Sequence, residues 1–122
     1  MAPKRVAIYA LSDPRDLRNV RYVGLTTRPP QRFSQHLHTA RLWLPEERPW
    51  WVKSPQLRPL YGWIRDLYRD DFRLPTMLIS AWLDSVPESR LAERSRIYEC
   101  LAERMTLLNG ETEILGRQLP MF

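Results

Sequence analysis

Hydrophobic and polar positions alternate along the chain in blocks whose periods differ. Residues 5–11 (RVAIYAL) are almost uninterruptedly apolar, the mark of a buried strand. Residues 12–19 are polar and include Pro14, which predicts a loop. Residues 20–25 form a second strand, antiparallel to the first through that hairpin. A connection of this length leaves the register open. From Pro29 the spacing becomes helical, with Phe33, Leu37 and Ala40 on one stripe and an end expected near Leu42. Proline is tolerated in a first helical turn, and the residue before it, Arg28, is pushed away from helical angles.

The second half repeats these signals in another order. Residues 45–59 carry four prolines and the pair Trp50-Trp51, and predict an irregular excursion. Residues 57–68 read as a second helix with Leu60, Trp63, Ile64 and Leu67 on one side. Gly62 within it costs about 1 kcal/mol against alanine. Residues 74–83 (LPTMLISAWL) are near-continuously apolar, which predicts a third strand in a central position, covered on both faces. Ser85-Val86-Pro87-Glu88 has the form of a capping box and opens a third helix, expected over residues 86–105. Leu91, Tyr98, Leu101 and Met105 are its expected buried side, and Asn109-Gly110 its stop signal. The element order is β-β-α-α-β-α.

Composition narrows the picture. The 122 residues fit one domain with a modest core, and 43% of them are hydrophobic. The net charge is +5, and of nineteen basic residues only Lys4 and Lys53 are lysines. Arginine gives flat, bidentate contact with phosphate, so this balance suits a polyanionic partner. A bias toward arginine without any such duty gives the same composition. The single Cys100 excludes an internal disulfide and a cysteine-based zinc site, and a reduced, cytoplasmic setting is expected. No apolar run approaches the roughly 20 residues of a membrane span, and the first residues lack the apolar core of a signal peptide, so no membrane association is expected.

Candidate chemistry gathers early in the chain. Tyr9 ends the run Ala7-Ile8-Tyr9, Tyr22 opens Tyr22-Val23-Gly24, and Arg32 and His36 stand four apart on the helix that follows. A spacing of four places Arg32 and His36 on one helical face. These short tyrosine motifs on adjacent strands, followed by R-x-x-x-H, resemble the GIY-YIG nuclease family. The resemblance runs over residues 6–109 and is strongest in the first 40. It implies a small, mainly antiparallel three-stranded sheet packed with helices, an α+β fold. It departs from the family at Ala7, where the first motif has glycine, and at Pro29-Pro30, which fill a turn that is often polar there.

The family's activity, hydrolysis of DNA phosphodiester bonds with a divalent metal, magnesium or manganese, is what the resemblance implies here. Such a reaction needs an aligned water, neutralised phosphate charge and a stabilised leaving oxygen. The implied roles are water activation by Tyr9 or Tyr22 with His36 assisting, Tyr9 being the family's usual base, and charge stabilisation by Arg32. The metal-binding carboxylate would stand on a later helix, ahead of an asparagine. Asn109 in Leu107-Leu108-Asn109 matches that ending, and Glu93, sixteen residues earlier with Ile97 one turn on, matches the helix pattern. Glu99 competes, but it lies about 240° round the helix from Glu93. Gly24 and Asn109 are expected as structural residues beside the site. Arg28, Arg41, Lys53 and the indoles of Trp50 and Trp51 are candidate nucleic-acid contacts; adjacent tryptophans in a loop also fold back over small cores. Taken singly, each residue has an ordinary reading as packing or solvated surface, and the weight lies in the conjunction. The alternatives are a non-catalytic nucleic-acid-binding module on the same scaffold, and a basic interaction protein without a nucleic-acid role. DNA structure, DNA against RNA, and a homodimer or a targeting partner all stay open.

Overall fold

The computed structural model describes residues 5–109. The elements are β1 (Val6–Asp13), β2 (Asp16–Thr26), α1 (Pro29–Ala40), a one-turn 3-10 helix (Trp50–Lys53), α2 (Arg58–Asp71), β3 (Thr76–Leu83) and α3 (Val86–Ala102). The chain is α+β: three antiparallel strands in the order β2-β1-β3, with three helices. No helix among the described residues is long and apolar enough to cross a membrane.

The hairpin is tighter than the polar run suggested. Residues 12–19 mostly extend the two strands, and the turn is confined to Asp13–Asp16. Asp13 closes it: its carboxylate accepts from the Arg15 backbone N–H at 2.9 Å and from the Arg15 guanidinium. Those charged bonds hold the Asp13 carboxyl below its ordinary range, against the opposing effect of its burial.

The central strand is β1, not β3. All eight β1 residues are buried, whereas β3 is an edge whose Leu78, Ile79 and Trp82 are about 40% exposed. An apolar run says that a strand is covered, not which neighbours it pairs with. The far edge of β2 is taken by the segment after α3. There the Leu108 N–H donates to the Arg21 carbonyl, and the Asn109 side chain bonds both the N–H and the C=O of Val23, at 3.1 and 2.7 Å. That leaves the open side of β1 for β3.

Alternation along β1 divides the core in two. Ile8 and Ala10 face α3 and pack with Val20, Val23, Ile97, Cys100 and Leu107. Tyr9 and Leu11 face the other way, into Ala40, Leu42, Trp51, Leu60, Tyr61 and Ile64. On α3 the buried residues are Ser89, Ile97 and Cys100, while Leu91 is 72% exposed. The expected stripe was rotated: Leu91 is six residues from Ile97, about 240° round the helix. Tyr98, Leu101 and Met105 do flank this core, partly buried. The serine half of the capping box forms, with Ser85 Oγ accepting from the Glu88 N–H at 3.3 Å. The helix ends three residues before Met105. Arg104 takes a left-handed conformation (φ 62°) and the Met105 N–H returns to the Cys100 carbonyl at 2.9 Å, a closure more often built on glycine. Gly110, the other half of the expected stop signal, lies outside the described residues.

Candidate active site

The β1–β2 register sets the first side chains. Tyr9 pairs with Gly24 and Leu11 with Tyr22, so both tyrosines rise from the same face of the sheet. Pro29 opens α1 beside that face, and its stripe brings Arg32 and His36 over the tyrosines. The Tyr9 hydroxyl lies 2.7 Å from His36 Nε2. The Tyr22 ring is 6.0 Å from that of Tyr9 and 5.4 Å from His36, edge to face with the imidazole. The Arg32 guanidinium lies close enough to the Tyr9 phenol to interact with it electrostatically, and donates to Gln35 Oε1 at 3.2 Å. Four residues from three elements thus meet as the sequence motifs predicted.

Gly24 is required by space rather than by conformation, since its φ is not positive. A methyl group there would lie 2.6 Å from Cζ and from the hydroxyl oxygen of Tyr9. The missing side chain is the volume into which the Tyr9 ring fits.

A fifth residue joins the cluster. Tyr61, on α2, places its hydroxyl 3.1 Å from His36 Nδ1. Both imidazole nitrogens therefore have phenolic partners, and one neutral ring links β1, α1 and α2. Sequence reading passed over Tyr61 because it is adjacent to the apolar stripe of Leu60 and Ile64 and reads as core. The signal was its polar tip: a buried tyrosine hydroxyl needs a partner.

Depth decides the electrostatics. Tyr9 and His36 are each 1% exposed, whereas Tyr22 and Arg32 are half-buried and form the accessible side of the cluster. Burial, helped by the Arg32 charge, pushes His36 down to about 3, so the imidazole is neutral near pH 7. Burial and then the neighbouring Tyr22 push the Tyr9 phenol up, and Arg32 only partly opposes them. Tyr61 is raised as well, by burial first. Burial pulls Arg32 down, but the phenols of Tyr9, Tyr22 and Tyr61 outweigh it, and the guanidinium stays charged.

Glu93 comes from α3, on the other layer. It lies four residues from both Ser89 and Ile97 on the α3 stripe that covers the opposite face of the sheet, and it is half-buried. Its hard carboxylate oxygens are of the kind magnesium and manganese take. Among the described residues no three His, Cys, Asp or Glu side chains are grouped to hold a metal. Glu93 would therefore have to share any such ion with water and phosphate oxygens.

The outer candidates separate. Trp51 is 3% exposed: its indole N–H donates to the Thr39 carbonyl and its ring is 5.8 Å from Tyr61, so it backs the cluster and is closed to stacking on a base. Its neighbour Trp50 is 59% exposed. Arg28 and Lys53 are exposed. Arg41 ends α1 in a left-handed conformation and pairs with Glu47 at 3.7 Å. Comparisons with protein-family models, with curated proteins and with solved structures gave no match to this chain.

Proposed function

We propose that this chain is a GIY-YIG-type endonuclease that hydrolyses DNA phosphodiester bonds with magnesium or manganese. The observation that carries the reading is the meeting of Tyr9, Tyr22, Arg32 and His36 on one face, with the Tyr9–His36 contact at 2.7 Å. Such a group offers a cation for the phosphate, a phenol at the surface, and a buried relay behind it.

In this reading Arg32 faces the scissile phosphate and neutralises developing charge, a role suited to its planar, permanently charged fork. Tyr22, half-buried, is the phenol a water can reach. The resemblance assigns the base to Tyr9, but burial keeps Tyr9 protonated and out of solvent, which favours Tyr22 for contact with water. Tyr9 then acts as a donor that fixes its neighbours, and neutral His36 orients Tyr9 by hydrogen bonding rather than by charge. A bound divalent ion would supply Lewis-acid stabilisation and a more acidic water, with Glu93 as its protein ligand.

The test is incubation of supercoiled plasmid and labelled single-stranded oligonucleotide with magnesium or manganese, against chelator. Cleavage should require the cation. Glu93→Gln should abolish cleavage with DNA binding intact. Tyr22→Phe should slow it by about 10²-fold or more, as for lost proton-transfer catalysis. Arg32→Lys should lose most activity although it keeps the charge. The sealing of Tyr9 and His36, and the placing of Glu93 on the far layer, favour a second reading as a non-catalytic nucleic-acid-binding module. Salt-dependent binding with no cleavage under either cation would select that reading.

A further inference from the structure

We propose that the cavity lined by Arg5, Thr27, Arg28 and Trp82 receives the nucleotide next to the scissile phosphate, its base unpaired and stacked on Trp82. The inference rests on the nuclease reading for its position and on the cavity's own chemistry for its ligand.

Two registers place the cavity beside the cluster. Ala7 pairs with Thr26 on one side and with Trp82 on the other, so Trp82 lies on the sheet face that carries Tyr9. Tyr9 is two residues along β1 from Ala7, a step of roughly 7 Å. On the helix side, Arg28 is the cap residue of α1, and its carbonyl accepts from the Arg32 N–H at 3.0 Å. Arg28, Arg32 and His36 thus follow one another at intervals of four, each about 6 Å farther along the axis. Strand and helix both lead from the cluster to the same cavity.

Its volume, about 340 Å³, and its lining combine two functions. The Trp82 indole is 40% exposed, a large aromatic surface left open on a sheet face. The Arg5 guanidinium sits 5.9 Å from the ring centroid and donates to the Trp82 carbonyl at 3.2 Å, which ties Arg5 to β3 beside the indole. Its pairing with Asp84 at 3.4 Å is exposed on both sides, so that charge remains available to a polyanion. Arg28 has no acidic partner among the described residues. Arginines beside an accessible indole match a phosphate and a base in one subsite. Bases in an intact duplex are stacked on their neighbours and do not offer a free face to an indole. The substrate class is accordingly DNA with a single-stranded segment at this position.

The test uses the full chain, labelled with 15N at the indoles, in chelator so that nothing is cleaved. The probes are an eight-nucleotide oligothymidylate and a duplex of equal length. The Trp82 indole resonance, assigned by its loss in Trp82→Phe, should move on adding the single strand. Trp82→Leu should weaken single-strand binding roughly tenfold and duplex binding by less than about twofold, and Trp82→Phe should retain most of the affinity. Arg28→Ala should lower the slope of affinity against salt by about one phosphate contact. An unmoved Trp82 resonance, or a Trp82→Leu chain that binds the single strand as the parent does, overturns the proposal. Cleavage assays on the same chains, with magnesium or manganese in place of chelator, keep the two readings apart. Cation-dependent cleavage with a silent Trp82 sinks the subsite alone, whereas a responsive Trp82 without cleavage under either cation supports the subsite and sinks the nuclease.

Discussion

A methyl group at position 24 would press on Tyr9 at 2.6 Å, and the ring it meets is itself fully enclosed. Gly24→Ala should therefore cost about 1–3 kcal/mol, as overpacking does, and displace the Tyr9 hydroxyl from His36. Denaturant unfolding reads the first effect; a full-stability variant would mean that the ring moves freely. His36 gives a second expectation. Its folded value of about 3 lies below the unfolded 6.5, so above pH 6.5 both states are neutral and the group adds no pH dependence. Between 6.5 and 3 the unfolded chain binds the proton and the folded one does not, so stability falls as pH falls, by up to about 1.4 kcal/mol per unit. The groups facing His36 are Tyr9, Tyr22, Tyr61 and Arg32; the Tyr9 and Tyr61 phenols are raised and Arg32 stays charged through that window. Asp13, lowered from its unfolded value of 3.8, adds a fall of the same sign that sets in within about one unit above that value. The slope between pH 6.5 and about 5, followed by chemical denaturation, should flatten in His36→Gln. At this scale the sequence was informative where a motif fixed spacing, as for Tyr9, Tyr22, Arg32 and His36. It was silent for Tyr61, whose duty depends on α2 docking against α1.

Among the elements, the strands and helices were legible from period and punctuation, while their neighbours were not. The run at residues 74–83 does form a strand, but pairing order depends on the Asn109 contact, which no local pattern announces. Likewise a helix with apolar residues on several sides gives no clear stripe, and Leu91 was placed on the wrong one. The excursion between α1 and α2 also divides within one dipeptide. Trp51→Phe, which removes the buried N–H donor and some packing, should cost about 1–3 kcal/mol. Trp50→Ala should stay within about 0.5 kcal/mol of the parent, yet weaken binding to unpaired DNA. Thermal melts and binding titrations on the pair would show the reverse if the two indoles had exchanged roles.

Over the whole molecule, one sheet separates two cores, with the tyrosine–histidine cluster on one side and α3 on the other. The only covalent path from the hairpin to the Asn109 clasp runs through every intervening element, and the contact with Val23 spans 86 positions. Closing so long a loop is entropically costly and slow, so the clasp should be the last part to form and the first to open. The Val23 amide then becomes a clock for that event, because its proton is held by the Asn109 side chain rather than by β1. In native-state hydrogen exchange, Val23 should exchange well ahead of the β1 amides, and in Asn109→Ala its protection should collapse while theirs persists. Equal rates for both in the parent chain would instead mean that the clasp and the sheet open together, as a single cooperative unit.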